Sequence, residues 1–154
     1  EESKERLIRF WEMLKIALTE NSLEYLDRVS AKPNYDIGFW KGAGYYGFCI
    51  GRKSFRVELY ISQDSDKKYI DTMKNYEDEL HSAFNGTLIW ERLENKGASR
   101  IKYEMSTEEI QRLGEQGKFW DETYWDDVIQ WYCVAMKRFY TAVNPVWEKV
   151  QKEI

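Results

Sequence analysis

The seven residues Phe55-Arg56-Val57-Glu58-Leu59-Tyr60-Ile61 alternate without exception between two kinds of side chain. Successive side chains of a strand point to opposite faces, so Phe55, Val57, Leu59 and Ile61 face a core while Arg56, Glu58 and Tyr60 face away from it. A strand of this kind needs partners. The Gly-punctuated aromatic stretch at 38–51 supplies a strand, a tight turn and a second strand. Arg52-Lys53-Ser54 then turns the chain into 55–61.

Helical periodicity brackets these strands. Leu7, Phe10, Trp11, Leu14 and Leu18 recur at three-and-four spacing, which predicts an N-terminal helix over about 3–28, with its last turn around 23–29. Pro33 biases its predecessor away from helix and ends this region. Asp64 or Asp66 can cap a helix running to Phe84, with Ile70, Met73, Leu80 and Phe84 on one side and Glu77 among them. Asn85-Gly86 is its exit. Residues 88–93 and 100–105 read as two further strands around an Asn95-Lys96-Gly97 turn. Ile101, Tyr103 and Met105 alternate there with Arg100, Lys102 and Glu104. Ser106-Thr107-Glu108-Glu109 has the spacing of a capping box. Gly114 and Gly117 interrupt the helix it starts. A long amphipathic helix follows from about Asp121, with Asn144-Pro145 predicted to kink or end it.

This order specifies an α+β fold: a short antiparallel sheet of about five strands, an N-terminal helix, one helix inserted between strands 3 and 4, and long C-terminal helices. The 154 residues suit one domain spanning 1–154. The opening Glu1-Glu2-Ser3, without Met, suggests a chain cut from a longer protein.

With 43% hydrophobic and 16% aromatic residues there is ample core material, and seven Trp and eleven Tyr each need a partner for a polar atom. The formal charge of −4 works against indiscriminate adhesion to nucleic acid or membrane. Charge is nevertheless segregated. Lys32, Lys41, Arg52, Lys53 and Arg56 outnumber Asp36 and Glu58, whereas acids dominate 104–129. Cys49 and Cys133 lie in apolar runs and read as small core hydrophobes, not as a disulfide framework. No apolar stretch is long enough to cross a bilayer, so the expectation is a cytoplasmic protein with no membrane partner.

Motifs for catalysis are sparse. His81 is the only histidine, and one histidine cannot build a multi-histidine zinc site. Gly42-Ala43-Gly44-Tyr45-Tyr46-Gly47 fits G-x-G-x-x-G but opens into a strand, where a phosphate cradle would need a helix. Glu58 on one strand, Glu91 on another and Glu94-Asn95-Lys96 after it resemble the skeleton of a metal-dependent nuclease. The Glu-x-Lys falls in a turn, however, and no Asp precedes it on a strand. No catalytic residue, metal or cofactor is assigned. The more coherent feature is the polar sheet face. Arg56, Glu58 and Tyr60 on one strand and Arg100, Lys102 and Glu104 on another form either a solvated charge ladder or a basic-aromatic platform for an anionic ligand.

The strings Arg56-Val57-Glu58-Leu59-Tyr60-Ile61, Leu88-Ile89-Trp90-Glu91-Arg92-Leu93 and Lys96-Gly97-Ala98-Ser99-Arg100-Ile101, in that order, resemble domain-of-unknown-function family 4268. The Phe10-Trp11 helix, the Gly42-Ala43-Gly44 hairpin and the Trp- and Tyr-rich last helix extend the likeness over nearly the whole chain. The resemblance implies a prokaryotic module similar to those that follow a nuclease-like domain in proteins of DNA handling or defence, with no established catalytic residue. Arg56, Glu58, Tyr60, Trp90, Arg92, Lys96, Arg100 and Lys102 are the candidate ligand-binding residues. The expected function is a non-catalytic accessory module that binds nucleic acid weakly, through phosphates. The alternatives are a protein-interaction or oligomerisation domain and a small metal-dependent nuclease.

Overall fold

The computed structural model describes residues 2–113, 119 and 121–154. Helix α1 (Glu2–Glu20) opens the chain, followed by strands β1 (Asp36–Lys41), β2 (Gly44–Ile50) and β3 (Phe55–Ile61). Helices α2 (Lys68–Lys74) and α3 (Glu77–Phe84) lead to strands β4 (Ile89–Glu91) and β5 (Ser99–Glu104). Helix α4 (Thr107–Leu113), a 3-10 turn (Glu122–Tyr124) and helix α5 (Trp125–Glu153) complete it. The strands form one five-stranded sheet of order β1-β2-β3-β5-β4. Every neighbouring pair is antiparallel. The α+β class and the five-stranded antiparallel sheet thus match the sequence reading.

One face of the sheet carries the core. Tyr46, Phe48, Val57, Leu59, Ile61 and Ile101 are fully buried. They meet α5, whose Tyr132, Met136, Phe139, Val143 and Trp147 are equally buried. Helices α1, α2 and α3 pack in turn on α5, so α5 is the central layer. Phe10 packs edge-on against Trp11, Phe119 and Trp125. Three deeply buried tryptophans use their N–H groups: Trp11 donates to the Asn34 carbonyl at 2.8 Å, Trp125 to that of Phe119 at 2.6 Å and Trp147 to that of Lys41 at 2.8 Å.

Several boundaries differ from the sequence reading. Helix α1 stops at Glu20, well short of 28. Ser22 takes the left-handed conformation (φ 59°), with Ser22 N–H on the Thr19 carbonyl and Leu23 N–H on that of Leu18. That pair of bonds is a Schellman stop built without glycine, and 23–29 continues as turns. The inserted helical segment is split, because Asn75 and Tyr76 bond back three residues to Thr72 and Met73 and tighten the chain there. Glu77 consequently opens α3 and pairs with Lys74 at 2.8 Å. Strand β4 is only three residues long, since Leu93 adopts φ 52° and turns the chain away. Pro145 does not end α5, which runs on to Glu153. The capping box is reciprocal, with Ser106 N–H on Glu109 at 2.9 Å and Glu109 N–H on Ser106 Oγ at 3.1 Å. The Gly114 and Gly117 interruption lies outside the described residues. Cys133 is a core residue, but Cys49 pairs with Arg56 in the register and is buried on the opposite, polar face.

A buried charged node joins α2 to the β4–β5 loop. Asp64, 1% exposed, accepts from the N–H groups of Tyr69 and Ile70 at 2.9 and 3.0 Å and from Ser99 Oγ at 2.7 Å. Lys67, 5% exposed, donates to the carbonyls of Leu93, Lys96 and Ala98 at 3.0, 2.8 and 2.6 Å. Three donors meet three acceptors, which satisfies an ammonium removed from water. Lys67→Met leaves those carbonyls bare and is expected to cost about 2–5 kcal/mol, as is cavity formation by Leu59→Ala. Urea denaturation measures both, and a neutral Lys67→Met would show that the loop holds without its donor.

Candidate functional site

The register assigns every residue of the outer sheet face to a row. Asp36, Cys49, Arg56 and Glu104 align across β1, β2, β3 and β5. Gly38, Gly47, Glu58, Lys102 and Ile89 form the next row, and Trp40, Tyr45, Tyr60, Arg100 and Glu91 the third. Arg56, Glu58, Tyr60, Arg100 and Lys102 therefore do share one face, as their alternation predicts. The structure separates the other candidates from them. Trp90 pairs with Ile101 and points to the core side, where its ring lies 4.6 Å from Lys74 Nζ. Arg92 is exposed beside α2 and grips Asp71 through Nε and a terminal nitrogen at 2.8 and 2.7 Å. Lys96 is an exposed loop residue whose carbonyl serves Lys67.

The charges on the outer face neutralise one another. Glu58, only 6% exposed, accepts from Arg56 Nε at 2.8 Å and from Arg100 at 3.3 Å. Arg100 Nε reaches Glu91 at 2.7 Å, and Lys102 bridges Glu91 at 3.2 Å and Glu104 at 2.8 Å. Ser54 closes the chain by donating to Glu104 at 2.7 Å. Burial raises the Glu91 carboxyl, but bonds from Arg100 and then Lys102 outweigh it and hold the group below its usual range. Glu104 is likewise raised by burial and brought down further by Lys102 and Ser54. Asp36 is pushed up, first by burial and then by Glu58, against the pull of Arg56. Glu58 and Glu91 meet through Arg100 instead of facing a shared cavity. No cluster of three potential metal-ligating side chains occurs among the described residues.

Toward β1 the face changes character. Trp40 is 58% exposed and meets Tyr45 edge-on at 5.1 Å. Arg100 stands 5.9 Å over the Tyr60 ring. The third row thus presents three aromatic rings and an arginine in sequence across the sheet. A cleft of about 290 Å³ lies beside them, lined by Asp36, Tyr45, Cys49, Arg56, Glu58 and Tyr60. Trp40 and Tyr45 were legible as strand residues but not as site residues. Their pairing follows from a two-residue turn at Gly42-Ala43, where Gly42 has φ +62°.

The chain matches domain of unknown function DUF4268 over residues 8–147. It belongs to that family. No curated protein and no solved structure matches this DUF4268 chain. Among the described residues no helix is long and apolar enough to cross a membrane.

The depressed carboxylates make the outer ladder pH-dependent. Their contribution is present above the unfolded carboxylate value of about 4.3 and is lost as pH falls through the lower folded values. Urea midpoints of the wild type should fall in acid more steeply than those of Glu91→Gln/Glu104→Gln, which should start lower at pH 7. Parallel acid profiles would show that the ladder contributes nothing.

Proposed function

We propose that this DUF4268 domain is a non-catalytic accessory module of a cytoplasmic, prokaryotic nucleic-acid-handling protein, and that it binds single strands weakly across its outer sheet face. The observation that carries this reading is the Trp40–Tyr45–Tyr60–Arg100 row on a face that α5 does not cover. Bases stack on aromatic rings irrespective of sequence, and an arginine at the end of the row adds charge and a further stacking plane. Phosphates would draw on Arg56, Arg100 and Lys102. Because each of these is already paired with a carboxylate, the reading calls for low affinity and strong salt dependence.

A second reading is favoured by that same pairing. Arg56, Arg100 and Lys102 face Glu58, Glu91 and Glu104, so the middle of the face offers little net positive charge. A neutral, aromatic-edged surface suits a protein partner, for which Trp and Tyr are the usual anchors.

Fluorescence anisotropy with short single- and double-stranded DNA and RNA over a salt series separates the two. Nucleic-acid binding should be strongest for single strands at low salt. Trp40→Ala/Tyr60→Ala should weaken it by about tenfold or more, on a stacking value of roughly 1–3 kcal/mol per base. No binding at low salt, or binding indifferent to the double substitution, removes the nucleic-acid reading and leaves the protein partner.

A further inference from the structure

The two edges of the sheet are not alike. Strand β4 ends one side after three residues and is turned off by Leu93. Strand β1 ends the other with six residues in unbroken register to β2. It has no proline and no bulge, two of the devices that blunt an edge, although it carries Asp36 and Lys41. Which backbone groups it leaves open follows from one bond. Ile50 N–H donates to the Tyr35 carbonyl at 2.8 Å. Hydrogen-bonded and non-hydrogen-bonded pairs alternate along an antiparallel ladder. Ile37, Phe39 and Lys41 therefore turn their N–H and C=O groups toward β2, while Asp36, Gly38 and Trp40 turn theirs outward. Among the described residues no backbone bond from β1 to another segment occupies those outward groups, although Gly38 is itself buried between the exposed Asp36 and Trp40.

A cleft of about 390 Å³ lies along this edge, between β1 and the 28–34 segment. It is lined by Arg28, Lys32, Asp36, Gly38, Trp40 and Tyr45 among others. Arg28 and Lys32 are exposed and, unlike the cations of the ladder, form no ion pair among the described residues. Asp36 is the one acid of the lining, and its carboxyl is engaged by Tyr45.

We propose that the β1 edge accepts an extended acidic peptide segment of a partner protein as a sixth strand. Main-chain bonds to Asp36, Gly38 and Trp40 would give affinity, as in other strand-addition complexes. Arg28 and Lys32 select carboxylates on the incoming strand, and the exposed Trp40 ring supplies the apolar anchor. The chain's net negative charge does not prevent this, because screening confines its effect to about 8–10 Å at physiological salt. The assignment shares only Trp40 with the nucleic-acid reading: it rests on the strand edge and on Arg28 and Lys32, not on the ladder.

The test uses a fluorescein-labelled eight-residue peptide in which Glu alternates with Val and Thr. Its controls are the same peptide with Lys for Glu and the same peptide N-methylated at alternate residues. The Glu peptide should bind and should slow hydrogen exchange of the Gly38 and Trp40 amides. N-methylation of the pairing edge should weaken binding by about tenfold or more, the cost of losing several main-chain bonds. Arg28→Glu/Lys32→Glu should weaken the Glu peptide and favour the Lys peptide. Both substitutions are at exposed positions outside the core, so folding is retained. Absence of binding, binding indifferent to N-methylation, or equal binding of the Lys peptide overturns the proposal. Protection of the same amides by the chain's own association, or by oligonucleotide alone, overturns it in favour of those occupants.

Discussion

The helices cover one face of the sheet, and this single constraint shapes the rest of the molecule. Strand β3 sits in the middle of the order, pressed on one side against α5 and open on the other. Its inward residues have only to be apolar and well packed. Its outward residues must satisfy themselves, because no second helical layer covers them among the described residues. The answer is Glu58, buried by its own neighbours and held between Arg56 and Arg100. From there the pairing spreads through Glu91 and Lys102 to Glu104. Exposed ion pairs taken singly contribute little. Linked pairs with a nearly buried member are different, because removing one partner leaves a desolvated charge behind.

This arrangement divides the outer face by function. The β3–β5 half carries most of the charge, and that charge is committed internally. The β1 half carries few charges, but Trp40 is largely exposed, and Arg28 and Lys32 are exposed and form no ion pair among the described residues. Ligand recognition depends on groups that are not already satisfied, so the β1 half is where a partner gains most. The aromatic row runs from one half to the other, which allows Trp40 to serve a stacked base or a peptide side chain with the same ring.

Much of the fold was legible in the sequence because its signals are local. The alternation at 55–61 gave the faces of β3 correctly, and Ser106 with Glu109 gave the start of α4. What stayed hidden depends on distant partners. Nothing around Lys67 announces that its ammonium will meet three carbonyls from 93–98, a segment about thirty residues further along. Ser22 offers no glycine to signal the stop of α1. Cys49 looks like a core residue because its neighbours Phe48 and Ile50 are apolar, yet strand alternation places it under Arg56 and Glu58. The candidate site was half visible. Alternation brought Arg56, Glu58, Tyr60, Arg100 and Lys102 together, but it could not place Trp90 on the inner face or draw Arg92 away to Asp71. Nor could it say that the arginines would be spent on glutamates.

The central claim is that the cations of the outer face are locked while those beside β1 are not. Nuclear magnetic resonance measurement of rotation about the guanidinium Nε–Cζ bond reads this directly, side chain by side chain. Arg56 and Arg100, each held by carboxylates, should rotate slowly, and Arg28 should rotate at the rate of a solvated arginine. Equal, fast rotation at all three would contradict the account, because the outer face would then be an open basic surface and not a closed ladder.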